Sequence, residues 1–121
     1  MASVSQERVI LHVDMDCFFV QCERLRDPDL LRKPVAVTQH EDIISVSYEA
    51  RALGVRKHDL PQFVAERFKQ VILVHVPHEP GTTKVSYKTY QDVSDDVMNI
   101  ISDVANACEI EEASIDEAYI E

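Results

Sequence analysis

Along the 121 residues, stretches of alternating or continuous apolar residues give way repeatedly to residues spaced by three and four, and each change of period marks an element. Val9 to Asp14 is a short run rich in β-branched side chains that ends in the polar cluster Asp14-Met15-Asp16, which predicts a strand. Cys17 to Leu25 has mixed helical spacing; Asp16 stands where a cap belongs, and Pro28 marks where the helix has ended. Pro34 opens a strand through Val35-Ala36-Val37, Ile43 to Ser47 reads as its partner, and Gln39 to Asp42 is the hairpin connection. Tyr48 to Leu53 predicts a short helix stopped by Gly54, and Leu60 to Gln70 another, with Pro61 in its first turn.

Val71 to Val76 is a further apolar strand, followed by a loop from Pro77 to Gly81. From Lys84 to about Cys108, apolar residues recur at Tyr90, Val93, Val97, Ile101, Val104 and Cys108, the stripe of a helix packed on a sheet. Glu109 to Ala113 and Ala118 to Ile120 form two arms of a hairpin that turns near Ser114-Ile115-Asp116-Glu117. Interleaved strands and helices predict an α/β or α+β fold, and the length suits one ordinary domain.

Composition narrows the function classes. With 45% hydrophobic and 28% charged residues the chain is neither disordered nor collagen-like, and it can bury a core without disulfides. No apolar run approaches the roughly 18 residues of a membrane span, and the start Met1 to Arg8 lacks the basic and apolar regions of a secretory signal, so no membrane partner is expected. Cys17, Cys22 and Cys108 are an odd number without Cys-x-x-Cys spacing, which fits reduced thiols in the cytosol or nucleus. All 12 Lys and Arg precede residue 90, whereas residues 90 to 121 carry ten acids, so the net charge of −10 resides in the last quarter. Such a surface lacks the cationic cluster that grips a phosphate backbone. It reads either as a solvated helix face or as a place that concentrates divalent cations.

Three constellations carry chemistry. The first is Asp14-Met15-Asp16, where a strand end runs into a helix start and sets carboxylates beside free backbone N–H groups. It suits a cation with its phosphates; the plain alternative is a cap plus one exposed acid. The second is Asp116-Glu117, two adjacent carboxylates that can reach one ion only where a turn re-aims them. Together the two sets match what a paired-metal site needs across a phosphoryl transfer. In the third, Tyr48 and Arg51 share one face of a helical turn and offer a hydroxyl and a guanidinium to a triphosphate, unless Arg51 merely pairs with Glu49 or another acid. His75 and His78 are separated by Pro77 and read as loop residues rather than zinc ligands, and Cys17 reads as packing rather than a nucleophile.

Four ordered motifs then resemble one family. Val13 to Gln21, Lys33 to Val37, Val46 to Val55 and Ala113 to Tyr119 together are similar to the Y-family translesion DNA polymerases, most closely the eta branch, from about Arg8 to Glu121. The resemblance implies part of a polymerase palm sheet with a small inserted fingers subdomain: residues 1–16 the first palm strand, about 17–83 the fingers, about 84–121 the next palm segment. It implies catalytic Asp14, Asp116 and Glu117 holding two Mg²⁺, replaceable by Mn²⁺, with the Met15 carbonyl as an added ligand. Backbone amides around Cys17, Phe18 and Phe19 would cradle the incoming deoxynucleoside triphosphate, with Tyr48 and Arg51 on its phosphates and Lys57 over its base. Phe19 matches the gate against a ribose 2′-hydroxyl, and Gln39 a residue beside the template base. The implied activity is DNA-directed synthesis past damaged bases on primer–template DNA, nuclear in a eukaryote and cytoplasmic otherwise.

The chain departs from that pattern in places. Three residues separate Gln39 from Ile43 where the eta branch has a longer, glycine-rich connection; Lys57 replaces an arginine, and His58-Asp59 replace a Ser-Met pair. Lys keeps the charge but loses the planar stacking surface. The remaining palm, the thumb and the little finger lie beyond the resemblance, and with them the DNA grip and any sliding-clamp contact, so the isolated chain is expected not to polymerise. Two other readings stand beside this one: a non-catalytic interaction or regulatory fragment, and a haloacid-dehalogenase-type phosphatase with Asp14 as nucleophile. The phosphatase class needs a downstream lysine, and none follows Lys88.

Overall fold

In chain order the elements are β1 (Leu11–Asp14), α1 (Phe18–Arg26), a 3-10 turn at Pro28–Leu30, β2 (Val35–Gln39), β3 (Asp42–Val46), α2 (Tyr48–Leu53), α3 (Pro61–Arg67), β4 (Ile72–His75), α4 (Lys88–Val104), β5 (Ile110–Ser114) and β6 (Glu117–Ile120). They belong to a computed structural model that describes residues 7 to 121; the first six residues of the expected palm segment lie outside the described residues. The chain divides at Met15/Asp16 and at Gln91/Asp92 into two compact units, one of them Asp16–Gln91. The boundaries expected from the resemblance, after 16 and near 83, fall one and eight residues earlier or later than these. α4 begins in one unit and continues in the other.

In the unit Asp16–Gln91, β2 pairs antiparallel with β3 and parallel with β4, so the sheet order is β3-β2-β4. β2 is buried on both faces, which is why Val35-Ala36-Val37 is a continuous apolar run rather than an alternating one. β3 brings the chain back antiparallel to β2, and α2 and α3 then carry it past β2 to the opposite edge, where β4 runs parallel. Ala36, Ile43, Val46, Ala50, Val55, Val64 and Val71 form the core, with Phe68 and Leu73 against it; each fully buried valine or isoleucine contributes about 1.5 to 3 kcal/mol. Ser47 starts α2: its hydroxyl accepts from Ala50 N–H at 3.1 Å and from Val35 N–H at 3.0 Å, so one side chain caps the helix and ties it to β2. Gly54 ends α2 at φ 113°, as the sequence predicted.

In the other unit the sheet order is β1-β6-β5, all antiparallel. The predicted first strand began at Val9, but Val9 and Ile10 are exposed and the ladder starts at Leu11. The expected hairpin is present, with Ile115 and Asp116 as its two-residue turn and a register shift between Glu112 and Ser114. Apolar spacing overran α4 at both ends. The segment from Lys84 to Tyr87 is irregular, and Val104 and Cys108, expected in the stripe, are exposed. Among the described residues no helix is long and apolar enough to cross a membrane.

Candidate functional site

The β1–β6 register makes Asp14 and Glu117 directly opposed residues, and two positions along, His12 opposes Tyr119. Opposed residues of an antiparallel pair share a face, and residues two apart share it as well, so all four side chains stand on one face. The ligand atoms of His12, Asp14 and Glu117 all lie within 4.8 Å of one another. His12 Nε2 is 3.1 Å from Glu117 Oε1, and the His12 ring stacks on Tyr119 with centroids 4.6 Å apart and planes 15° from parallel.

Asp116 lies in the adjoining turn. Ser114 Oγ is 3.0 Å from Asp116 Oδ1 and 3.0 Å from Glu117 Oε2, so the hydroxyl joins the two carboxylates although its single proton serves one of them at a time. The turn is fixed twice through its backbone. Met15 N–H donates to the Asp116 carbonyl at 2.9 Å, and the buried Ser94 hydroxyl of α4 donates to the Ile115 carbonyl. Of the expected set, β1 and β6 bring Asp14 and Glu117 together and add His12, which the sequence reading missed; Asp116 lies outside that three-residue cluster, linked to it through the Ser114 hydroxyl and through its own carbonyl to Met15 N–H. The signal was available: His12 is two residues from Asp14 on a strand. Hard oxygen donors at the end of a rigid hairpin fit a divalent cation of the Mg²⁺ type, which takes one or two carboxylates and keeps several waters.

The expected triphosphate-facing residues are in the Asp16–Gln91 unit. Cys17, not Asp16, is the N-cap of α1; it adopts the left-handed conformation at φ 36° and no side chain caps the helix. Asp16 instead accepts from the Tyr48 hydroxyl, which pushes the Tyr48 pKa up. The Gln21 side-chain amide donates to the Asp16 carbonyl. Burial raises the Cys17 pKa against the opposing pull of Arg51, and burial carries Cys22 up to about 12, so neither thiol is primed as a nucleophile. The Arg51 guanidinium lies over the Tyr48 ring, 5.3 Å from its centroid. Tyr48, Arg51, Ala52, Val55, Arg56 and Lys57 line an open concavity of about 580 Å³, which places three cations on one wall.

Phe18 is buried, whereas Phe19 packs beside Tyr90 at 4.8 Å and Tyr87 at 6.0 Å between ring centroids. Gln39 ends β2, and its side-chain Oε1 accepts from the Tyr87 hydroxyl. A two-residue turn, His40 and Glu41, follows, with His40 at φ 55° and its N–H donating to His75 Nε2 at 2.9 Å. His75 also donates from Nδ1 to the Val76 carbonyl at 2.7 Å, so both of its ring nitrogens are engaged by backbone; it is the last residue of β4 rather than the loop residue expected, paired with Thr38.

Residues 13–121 match the impB/mucB/samB family. The chain is 38% identical to DNA polymerase eta of Arabidopsis thaliana over 97% of its own length and 17% of the polymerase. It is 35% identical to DNA polymerase eta of Drosophila melanogaster over 95% of its length and 13% of that protein. Among solved structures, a ternary complex of Dbh with partially disordered substrates superposes with a TM-score of 0.77 at 30% identity, covering 93% of this chain and 30% of Dbh. The chain thus spans less than a third of each of these proteins.

Proposed function

The chain belongs to the impB/mucB/samB family, whose eta relatives are DNA-directed DNA polymerases, and on that footing we propose that it supplies the amino-terminal metal-binding and nucleotide-binding share of a translesion DNA polymerase. The observation that carries this reading is the opposition of Asp14 and Glu117 across β1 and β6 with Asp116 in the adjoining turn. In this reading the unit containing β1, β5 and β6 is part of a palm and Asp16–Gln91 is a fingers subdomain.

Asp14, Asp116 and Glu117, with the Met15 carbonyl, are the residues that would hold two Mg²⁺, or Mn²⁺ in their place. Bound there, such ions supply charge neutralisation at the attacking and leaving oxygens as a primer 3′-hydroxyl displaces pyrophosphate from the α-phosphate of a deoxynucleoside triphosphate. Ser114 and the Met15–Asp116 backbone bond hold the carboxylates in place before any ion arrives. Arg51 and Tyr48 are donors to the triphosphate, and Lys57, on the same wall, stands over the incoming base. The N-terminal amides of α1 at Cys17, Phe18 and Phe19 face anionic oxygen, Phe19 stands against the sugar, and Gln39 near the template base. Primer–template DNA is the partner, a sliding clamp is reached through sequence outside this chain, and the compartment is the nucleus in a eukaryote.

Two titrations and one graft test the proposal. Asp14→Asn and Glu117→Gln abolish Mg²⁺ binding by calorimetry, while Arg51→Ala weakens deoxynucleoside triphosphate binding and leaves the Mg²⁺ isotherm alone. Grafted in place of the matching segment of the Arabidopsis polymerase eta, the chain supports primer extension across a damaged template base, and Asp14→Asn abolishes it. Extension indifferent to Asp14 and Glu117 would sink the proposal.

A further inference from the structure

We propose that His12 is a nitrogen ligand of the cation held by Asp14 and Glu117, and that it biases this centre toward divalent transition ions such as Mn²⁺, Co²⁺ or Zn²⁺ over Mg²⁺. The inference rests on the reading that Asp14 and Glu117 hold a divalent ion, and goes beyond it by naming a donor atom and a metal class.

Three observations carry it. Strand register places His12 on the face of Asp14 and Glu117, not on the opposite, Val13 and Ala118 face. Its Nε2 is 3.1 Å from Glu117 Oε1 in a hydrogen bond that the ring donates; an ion that displaces this proton meets both atoms at close to the spacing of neighbouring ligands bound at ~2.1 Å, which stand about 3 to 3.5 Å apart. Stacking flat against Tyr119 favours this orientation of the ring. A stacked imidazole loses little rotational freedom on coordination, so its nitrogen is pre-aimed.

The metal class follows from the donor. Mg²⁺ is a hard ion that takes oxygen and parts with its water reluctantly, so an imidazole adds little to its binding. Imidazole suits Zn²⁺ and neighbouring first-row ions, whose affinity for nitrogen rises along the series from Mn²⁺. A centre of two carboxylates and one imidazole therefore binds these ions more tightly than an all-oxygen centre does, while its Mg²⁺ affinity is nearly unchanged.

The test uses the 121-residue chain loaded with Mn²⁺ and needs no turnover. Pulsed electron paramagnetic resonance of the Mn²⁺ complex shows a nitrogen coupling that shifts when histidine is ¹⁵N-labelled and vanishes in His12→Phe, which keeps a flat ring on Tyr119. In calorimetry His12→Phe lowers Mn²⁺ affinity by at least about tenfold and changes Mg²⁺ affinity by less than about twofold, in line with what ligand-shell changes cost. Mn²⁺ that binds through Asp14 and Glu117 without a nitrogen coupling overturns the role of His12 and leaves the carboxylate site standing. Mn²⁺ binding that survives Asp14→Asn with Glu117→Gln, or no binding at all, overturns the carboxylate site and this inference with it.

Discussion

Glu49 accepts from Arg24 at 3.2 Å, and it is Arg24, not the nearer-in-sequence Arg51, that neutralises it. Arg24 also donates to the carbonyls of Leu30 at 3.2 Å and Lys33 at 2.8 Å, so it clamps α2 and the turn after α1 together and leaves Arg51 over Tyr48, directed at the concavity. The Glu49 pKa is lowered first by backbone hydrogen bonding at the start of α2 and only then by Arg24. A carboxylate with a depressed folded pKa contributes stability above its unfolded pKa that is lost as pH falls through the folded value. Arg24→Ala should therefore leave Glu49 titrating below its ordinary 4.5 in an NMR pH series, while the Leu30 carbonyl keeps its bond from Lys33 N–H and the lost Arg24 bonds cost about 1 kcal/mol in urea unfolding.

Tyr90 and Glu23 make the opposite pH signature. Both are buried, and the Tyr90 hydroxyl donates to Glu23 Oε1 at 2.8 Å, with Arg26 at 3.1 Å on the same oxygen. Burial first, then the hydrogen bond to Glu23, pushes the Tyr90 pKa well above its ordinary 10. A raised folded pKa gives stability that is whole below the unfolded value and lost as pH rises past it. Stability should fall above pH 10 in alkaline denaturation, and Tyr90→Phe should flatten that slope. The same substitution removes a donor from a buried carboxylate and costs about 1 to 3 kcal/mol at neutral pH.

How far the sequence alone reached depended on what kind of signal each residue carried. Gly54 and the acidic hairpin are local chemistry, and they were legible because a left-handed stop and a tight turn are written in adjacent residues; Ser47, read as the end of a strand, is instead the cap of α2. Asp16 misled for the same reason: it has the right type for a cap, but the Tyr48 hydroxyl, 32 positions on, takes its carboxylate. Val104 and Cys108 continue the helical spacing, yet Val104 is 83% exposed; periodicity states which face is apolar and not what covers it. His12 escaped notice because its meaning lies in cross-strand register, which joins residues 105 positions apart.

Gly54 offers a test of how α2 holds Tyr48 and Arg51, the residues proposed to meet the triphosphate. It sits at φ 113°, and a Cβ there would stand 3.3 Å from Phe68 Cζ. Gly54→Ala should cost about 1 to 2 kcal/mol from the left-handed backbone alone, read as a lower midpoint in urea. Because Tyr48 and Arg51 ride on the same six-residue helix, triphosphate binding should weaken in parallel, with Mg²⁺ binding unaffected.

Ser94 gives the sharpest separation between holding the fold and holding the ion. It is 2% exposed, and its hydroxyl donates to the Ile115 carbonyl at the tip of the β5–β6 hairpin, one residue before Asp116. Ser94→Ala removes one neutral hydrogen bond and should lower stability by about 1 kcal/mol. The Asp116 carbonyl still accepts from Met15 N–H, so the hairpin stays paired, but its turn is fixed at one point instead of two. Outer-shell partners typically cost 10- to 100-fold in metal affinity when removed, so Mg²⁺ binding should fall by about tenfold, a loss out of proportion to the change in stability. Faster amide exchange at Met15 together with unchanged Mg²⁺ affinity would mean that the tip can loosen without moving the carboxylates, and that Ser114 alone sets their positions.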